Sequence, residues 1–231
     1  MTMTGRIQSL RARIRRSFAE LTGNETSCRR GRDDLDRLLD RYLPDKGTYI
    51  EAGALDGFNF SNTYYLDRVK GWNGLLVEPN PPQFQGCVRF RQRARVVQCA
   101  LVPFDYAPKT VNITYGADLT WTEGAYTGTE EKERREMLDR YGLTGESIEV
   151  PARTIQSLID EFALTVDFFS LDVEGFENSV LKGLDLDRSA PTFLLVECHT
   201  PERLAEVKQT LNGHYHEEQK LTRHDYLFTR K

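Results

Sequence analysis

The sequence predicts an α/β protein whose sheet is doubly wound and mostly parallel. Three observations predict it. Short apolar runs recur at Tyr49–Ala52, Gly74–Val77, Val96–Ala100, Val166–Leu171 and Phe193–Val196; segments of helical periodicity separate most of them; and the first run passes through a turn bearing Gly53 and Gly57 into a polar helix start at Ser61-Asn-Thr63. Strands that alternate with helices need right-handed crossovers, which make neighbouring strands parallel.

Composition bounds the rest. At 231 residues, 39% hydrophobic and 29% charged, the chain suits one domain with an extension. A net charge of −4 gives no general pull toward nucleic acid, and no apolar run approaches the roughly 20 residues of a membrane helix. Cys28, Cys87, Cys99 and Cys198 form no C-x-x-C pair and read as reduced thiols of a cytoplasmic protein. The N-terminus lacks the continuous apolar core and cleavage site of a signal peptide.

In chain order, Ile7, Leu10, Ile14, Phe18 and Leu21 recur at helical spacing among Arg6, Arg11, Arg13, Arg15 and Arg16. This basic amphipathic helix, in an extension over residues 1–32, reads either as a surface- or partner-binding segment or as one that packs on the domain or on a second copy of the chain. Residues 33–231 read as the domain. Asp33-Asp34 can cap a helix presenting Leu35, Leu38, Leu39 and Tyr42, which Pro44 ends. The first strand, Tyr49–Ala52, precedes a helix from Ser61, its cap, to about Val69; Gly74–Val77 is the second strand, and Pro81-Pro82 open the next helix. Val96–Ala100 is the third strand.

From about 103 to 150 the rhythm breaks. Val111–Tyr115 can be a strand, Trp121–Thr129 is loop-like and Glu130–Tyr141 is a charged helix; such an insertion is expected to be a lid, with Asp118, Trp121 and Tyr126 candidates to line an acceptor pocket. Alternation resumes with a helix over Thr154–Ala163, a fourth strand over Val166–Leu171, a helix from about Phe176 to Gly183, and a fifth strand over Phe193–Val196. A helix opened by Pro201 and a C-terminal hairpin with one arm at Tyr226–Thr229 complete the chain.

Acids stand at or just after the ends of four of these strands: Glu51, Glu78, Asp172 with Glu174, and Glu197. In a doubly wound sheet those ends converge on one crevice. Carboxylates there need cations or hydrogen-bond donors, so the ligand has hydroxyls and positive charge, and phosphate is disfavoured. Glu78 lies about where dinucleotide folds carry the acid that grips a ribose diol. The glycines follow G-x-x-x-G, with Leu55 where a nicotinamide fingerprint needs glycine. S-adenosylmethionine, with a ribose diol, an amino group and a sulfonium, suits this inventory better.

Glu51-Ala-Gly-Ala-Leu-Asp-Gly57, Ser61-Asn-Thr-Tyr-Tyr-Leu66, Val77-Glu-Pro-Asn-Pro81, Phe169-Ser-Leu-Asp-Val-Glu-Gly175 and Val196-Glu197 together resemble the FkbM-type family of S-adenosylmethionine-dependent methyltransferases. The first block departs from that family's commoner Asp-Val-Gly-Ala-Asn-Asp-Gly. The resemblance implies a Rossmann-like class I methyltransferase sheet, mostly parallel with a C-terminal antiparallel hairpin, and O-methylation of a hydroxyl on a sugar, polyketide, peptide or glycolipid. Carried onto this chain, it sets Glu51 and Gly53 along the methionine part of the cofactor, Ser61 and Thr63 near its carboxylate, Glu78 on the ribose, Ala100 beside the adenine and Asp172 near the amino group or the reacting centre, with Gly57 also among the cofactor-binding residues. Candidates for the base are His199, Glu174 and Asp172. A second reading sets Mg2+ or Mn2+ on Asp172 and Glu197; against it, Asp172 binds the amino group, Glu174 orients the following helix and His199 acts alone. A nicotinamide oxidoreductase and a non-catalytic binding module on the same sheet are the competing functions.

Overall fold

The computed structural model of the chain describes residues 14–116, 119–122, 132, 136 and 146–231. Its main sheet has seven strands: β1 (Thr48–Ala52), β2 (Asn73–Val77), β3 (Arg95–Val97), β8 (Phe168–Leu171), β9 (Phe193–Glu197), β10 (Gln219–Lys220) and β11 (Asp225–Thr229). They run in the order β3-β2-β1-β8-β9-β11-β10. Five are parallel, and β11 enters antiparallel to β9 and β10. This is the mostly parallel sheet with a C-terminal antiparallel hairpin that the sequence predicts. The order reverses between β1 and β8, the switch point at which α/β sheets open a crevice.

Period-two alternation divides the core between the sheet's faces. Ile50, Leu75, Phe169, Leu194 and Phe228 meet the helices Ile155–Phe162 and Pro201–Leu211 through Leu158, Ile159, Val207 and Leu211. Tyr49, Leu76, Phe168, Leu195 and Leu227 meet Leu35, Leu39, Leu66, Trp72 and Cys87 on the other face. Thr154 caps the first of those helices by accepting from the Ser157 N–H, and Thr200 caps the second in the same way. Pro81 and Pro82 open the helix Pro81–Phe90 as expected.

Several elements differ from the sequence reading. The third predicted strand is two strands in different sheets: β3 ends at Val97, the Glu78 N–H donates to the Val97 carbonyl, and the chain turns through Gln98, whose side chain donates to the Pro79 carbonyl. Ala100–Leu101 (β4) then joins a small sheet with β5 (Thr110–Gly116), β6 (Leu119–Thr122) and β7 (Glu146–Arg153), in the order β4-β7-β5-β6. Trp121 therefore lies in a strand, not in the loop expected, and β7 was not expected at all. Asp118, Tyr126 and nearly all of the expected helix over 130–141 fall outside the described residues, as do residues 1–13 of the amphipathic segment. Asp33 and Asp34 make no side-chain cap; both have left-handed backbone, with φ of 54° and 56°. Ser61 is not a helix cap either. Helical structure begins at Tyr64, ends in the π-helical turn Leu66–Lys70, and the N–H of Asn62 is capped by the Glu51 carboxylate from β1.

Among the described residues no helix is long and apolar enough to cross a membrane. The four cysteines are free and buried, and burial pushes each thiol up, which leaves them poor nucleophiles.

Candidate active site

Register brings the predicted acids together. Ala52 is level with Val77 and Leu171, and Leu171 with Val196, so Gly53, Glu78, Asp172 and Glu197, one residue further on, form a row across four adjacent strand ends. A cavity of about 600 Å³ opens above that row, within the size range of cofactor sites. Of the predicted cofactor, base and metal residues, all among the described residues, Gly57 and Thr63 do not reach its wall.

The turn after β1 is shaped by the strand beside it. A Cβ on Gly53 would lie 1.6 Å from the Asp172 carbonyl oxygen, and its φ is +76°. Glycine is required there by β8, not only by a ligand. Gly57 closes against Cys87 and the Arg91 side chain, 2.9 Å from a notional Cβ. Leu55, Phe60 and Glu174 also adopt left-handed backbone and line the cavity, so strain gathers at this rim.

Glu78 is buried, its two oxygens accepting from the N–H groups of Leu55 at 3.0 Å and Asn80 at 2.9 Å. Burial pushes its carboxyl up to about 8 while the two N–H groups act the other way. Asp172 is held well above the usual carboxylate range, first by burial and then by the charges of Glu197 and Glu174. Its Oδ1 is buried with no hydrogen-bond partner. Burial works against the charge of Glu197, yet hydrogen bonds from His199 and Asp172 hold that carboxyl below its usual value. The two carboxyls are thereby driven apart, Asp172 upward and Glu197 downward. His199 Nε2 donates to Glu197 Oε2 at 3.0 Å, which raises its imidazole, and its ring lies 4.7 Å from that of His224. Asp225, level with Glu197 across β9 and β11, also lines the wall. Glu177 organises the loop after β8: its Oε1 accepts from the N–H groups of Val173 at 3.1 Å and Gly175 at 2.9 Å.

Glu51 lies within β1 and turns toward Arg91, a residue the sequence reading missed. The Arg91 guanidinium is fully buried and uses all its donors. Nε donates to Asp67 Oδ2 at 2.8 Å; Nη1 reaches Ser61 Oγ at 3.0 Å, Gly57 O at 3.2 Å and Glu51 Oε2 at 3.3 Å; Nη2 reaches the Tyr49 hydroxyl at 2.6 Å and Thr63 Oγ1 at 2.7 Å. Ser61 and Thr63 in turn donate to Glu51 at 2.8 and 2.6 Å. The Thr63 hydroxyl is thus spent behind the wall, bracing Glu51. Nothing local marks Arg91, which stands in the run Arg-Gln-Arg-Ala-Arg95 like any surface cation. Arg32 and Asn62 on the wall were also missed.

The donor set fits a cation bearing hydroxyls. Carboxyls dominate the wall, Arg32 and His199 are its only basic side chains among the described residues, and the unpartnered Asp172 Oδ1 is an acceptor awaiting a donor. S-adenosylmethionine matches that demand. The divalent ion on Asp172 and Glu197 has no such support: Glu197 is engaged by His199, and among the described residues no three His, Cys, Asp or Glu side chains are grouped to hold a metal.

Residues 51–228 match the methyltransferase FkbM domain. Among curated proteins nothing matches the chain. Among solved structures it is similar to methyltransferase FkbM from Methylobacillus flagellatus KT, with 18% identity and a TM-score of 0.53, over 89% of this chain and 50% of that one. The chain thus spans about half the length of that protein. A TehB-like SAM-dependent methyltransferase from Corynebacterium glutamicum aligns at 12% identity over 93% of this chain and 96% of its own, with a TM-score of 0.45. Precorrin-6y C5,15-methyltransferase from Geobacter metallireducens aligns at 13% over 86% and 87%, with a TM-score of 0.46.

Proposed function

We propose, from the premise that this chain belongs to the FkbM methyltransferase family, that it transfers the methyl group of S-adenosylmethionine to a hydroxyl oxygen of a small acceptor, of the class of sugars, polyketides, peptides or glycolipids. The observation that carries the choice of oxygen is His199, an imidazole on the cavity wall at the end of β9, hydrogen-bonded to an ionised Glu197.

The cofactor supplies a carbon already activated by a sulfonium. The chain's residues need only hold the acceptor in line and remove its proton. His199 takes that proton on the ring nitrogen not engaged by Glu197, and the Glu197 carboxylate stabilises the imidazolium that results. Glu78 accepts from the ribose hydroxyls. Asp172 Oδ1 accepts from the amino group, whose positive charge favours the ionised carboxyl. Glu51, Gly53 and Ser61 border the methionine part, and Ala100 the adenine.

The test is product analysis. Purified protein with methyl-13C-labelled S-adenosylmethionine and fractionated cell extract should yield a product whose labelled carbon has the NMR shift of a methyl on oxygen. Label found only on nitrogen or carbon would overturn the oxygen reading, and His199→Ala with undiminished turnover would remove its base.

A further inference from the structure

The first described helix, over residues 14–22, sits on the domain the wrong way round for a helix that merely packs there. Surface helices bury their apolar stripe and expose their charges. Here Arg16 and Glu20 face inward: the Arg16 guanidinium lies 4.6 Å from the Phe90 ring centroid, and Glu20 accepts from the Tyr64 hydroxyl at 2.5 Å and pairs with Arg68 at 2.6 Å. Ala19 is buried with Cys28 and Tyr65. Ile14, Phe18 and Leu21, at i, i+4 and i+7, form the opposite face and are 59%, 68% and 87% exposed. Among the described residues nothing covers that face.

The surrounding charge says what does. Residues 1–32 hold eight arginines and two acids, in a chain whose formal net charge is −4. Arg15, beside the exposed stripe, is itself exposed, and the sequence just before it carries Arg6, Arg11 and Arg13 with no acid among residues 1–19. Exposed apolar side chains in an arginine-rich segment suit a bilayer surface, where the apolar groups enter the acyl boundary and the guanidinium groups stay level with phosphates. Nucleic acid would satisfy the arginines but leave the apolar stripe in water. The helix also adjoins the cavity rim: Arg16 and Arg30 both lie over the ring of Phe58, Arg30 Nη2 donates to Asn59 Oδ1 at 3.2 Å, and Asn59 and Phe60 line the cavity.

We propose that residues 14–22, with the arginines around them, dock this protein on an anionic lipid surface. Docking turns the cavity rim toward the membrane, and it does not depend on which acceptor the cavity takes.

The experiment is vesicle flotation of the full chain with phosphatidylcholine vesicles and with vesicles containing phosphatidylglycerol. The protein should float with the anionic vesicles, weakly or not at all with the neutral ones, and less as salt rises. Phe18→Ser and Leu21→Ser remove exposed side chains, so the double variant should keep the wild-type melting temperature. It should bind the anionic vesicles at least about tenfold more weakly, the loss expected from removing buried apolar side chains. Equal flotation of the double variant would overturn the proposal. So would a lack of vesicle binding by a protein that light scattering shows to be a dimer dissolved by the same substitutions, or that binds nucleic acid instead.

Discussion

Replacing Arg91 by Met tests how the cavity wall is held. The side chains have similar length, but Met leaves Glu51 and Asp67, both buried, without the guanidinium that lies 3.3 and 2.8 Å from them. Asp67 retains Arg93 at 3.2 Å and the Tyr49 hydroxyl at 3.2 Å, whereas Glu51 retains only neutral donors: Ser61, Thr63 and the N–H of Asn62. Removing one partner of a buried pair costs about 3–5 kcal/mol, because the remaining charge is uncompensated. In a domain of this size that lowers Tm by roughly 6–20 °C. Urea and thermal unfolding followed by circular dichroism give both values. The same account makes a second demand. Glu51→Gln should destabilise the wild type yet recover part of the loss in the Arg91→Met background, because there it removes a stranded charge. A Met variant within about 1 kcal/mol of wild type, or a Gln substitution whose costs simply add, would refute the reasoning.

Above about pH 8, where the Glu78 carboxyl is ionised, Glu78→Ala should weaken S-adenosylmethionine binding by about 1.5–3 kcal/mol through the loss of charged hydrogen bonds, and calorimetry there showing unchanged affinity would remove Glu78 from the ribose. Calorimetry in buffers of different ionisation enthalpy should show proton release on binding that grows as pH falls, because the Asp172 carboxyl is raised in the free site and the amino group favours its ionised form; no buffer dependence at any pH would refute that pairing. His199 must be neutral to act and its imidazole is raised above 6.5 by Glu197, so kcat/KM should rise with pH through a value above 6.5, and Glu197→Gln should move that rise to lower pH. A limb that stays in place would exclude His199 as the titrating base. Gly53→Ala must accommodate a Cβ 1.6 Å from the Asp172 carbonyl oxygen as well as a left-handed alanine. It should cost about 3 kcal/mol or more in urea unfolding, and a wild-type midpoint would mean that β1 and β8 part easily.

The sheet and the row of acids were legible in the sequence because both are local patterns. Each parallel strand is a short apolar run, and each acid follows its strand directly, so recognising five strands already set Glu78, Asp172 and Glu197 at one edge. Gly53 was legible for the same reason, although the close approach it permits is to the Asp172 carbonyl. Tertiary structure alone decided which way Glu51 turns and what holds it. Arg91 meets residues 24 to 42 positions away, namely Asp67, Thr63, Ser61, Glu51 and Tyr49, and no spacing rule joins positions so far apart. It also decided that Thr63 braces the wall from behind and that Glu177 orders the loop after β8. The helix over 14–22 divides the same way: its amphipathic spacing is written in the sequence, but the face turned to the domain depends on Glu20 finding Tyr64 and Arg68. Periodicity records which side chains share a face, and only the packed partners determine where that face points.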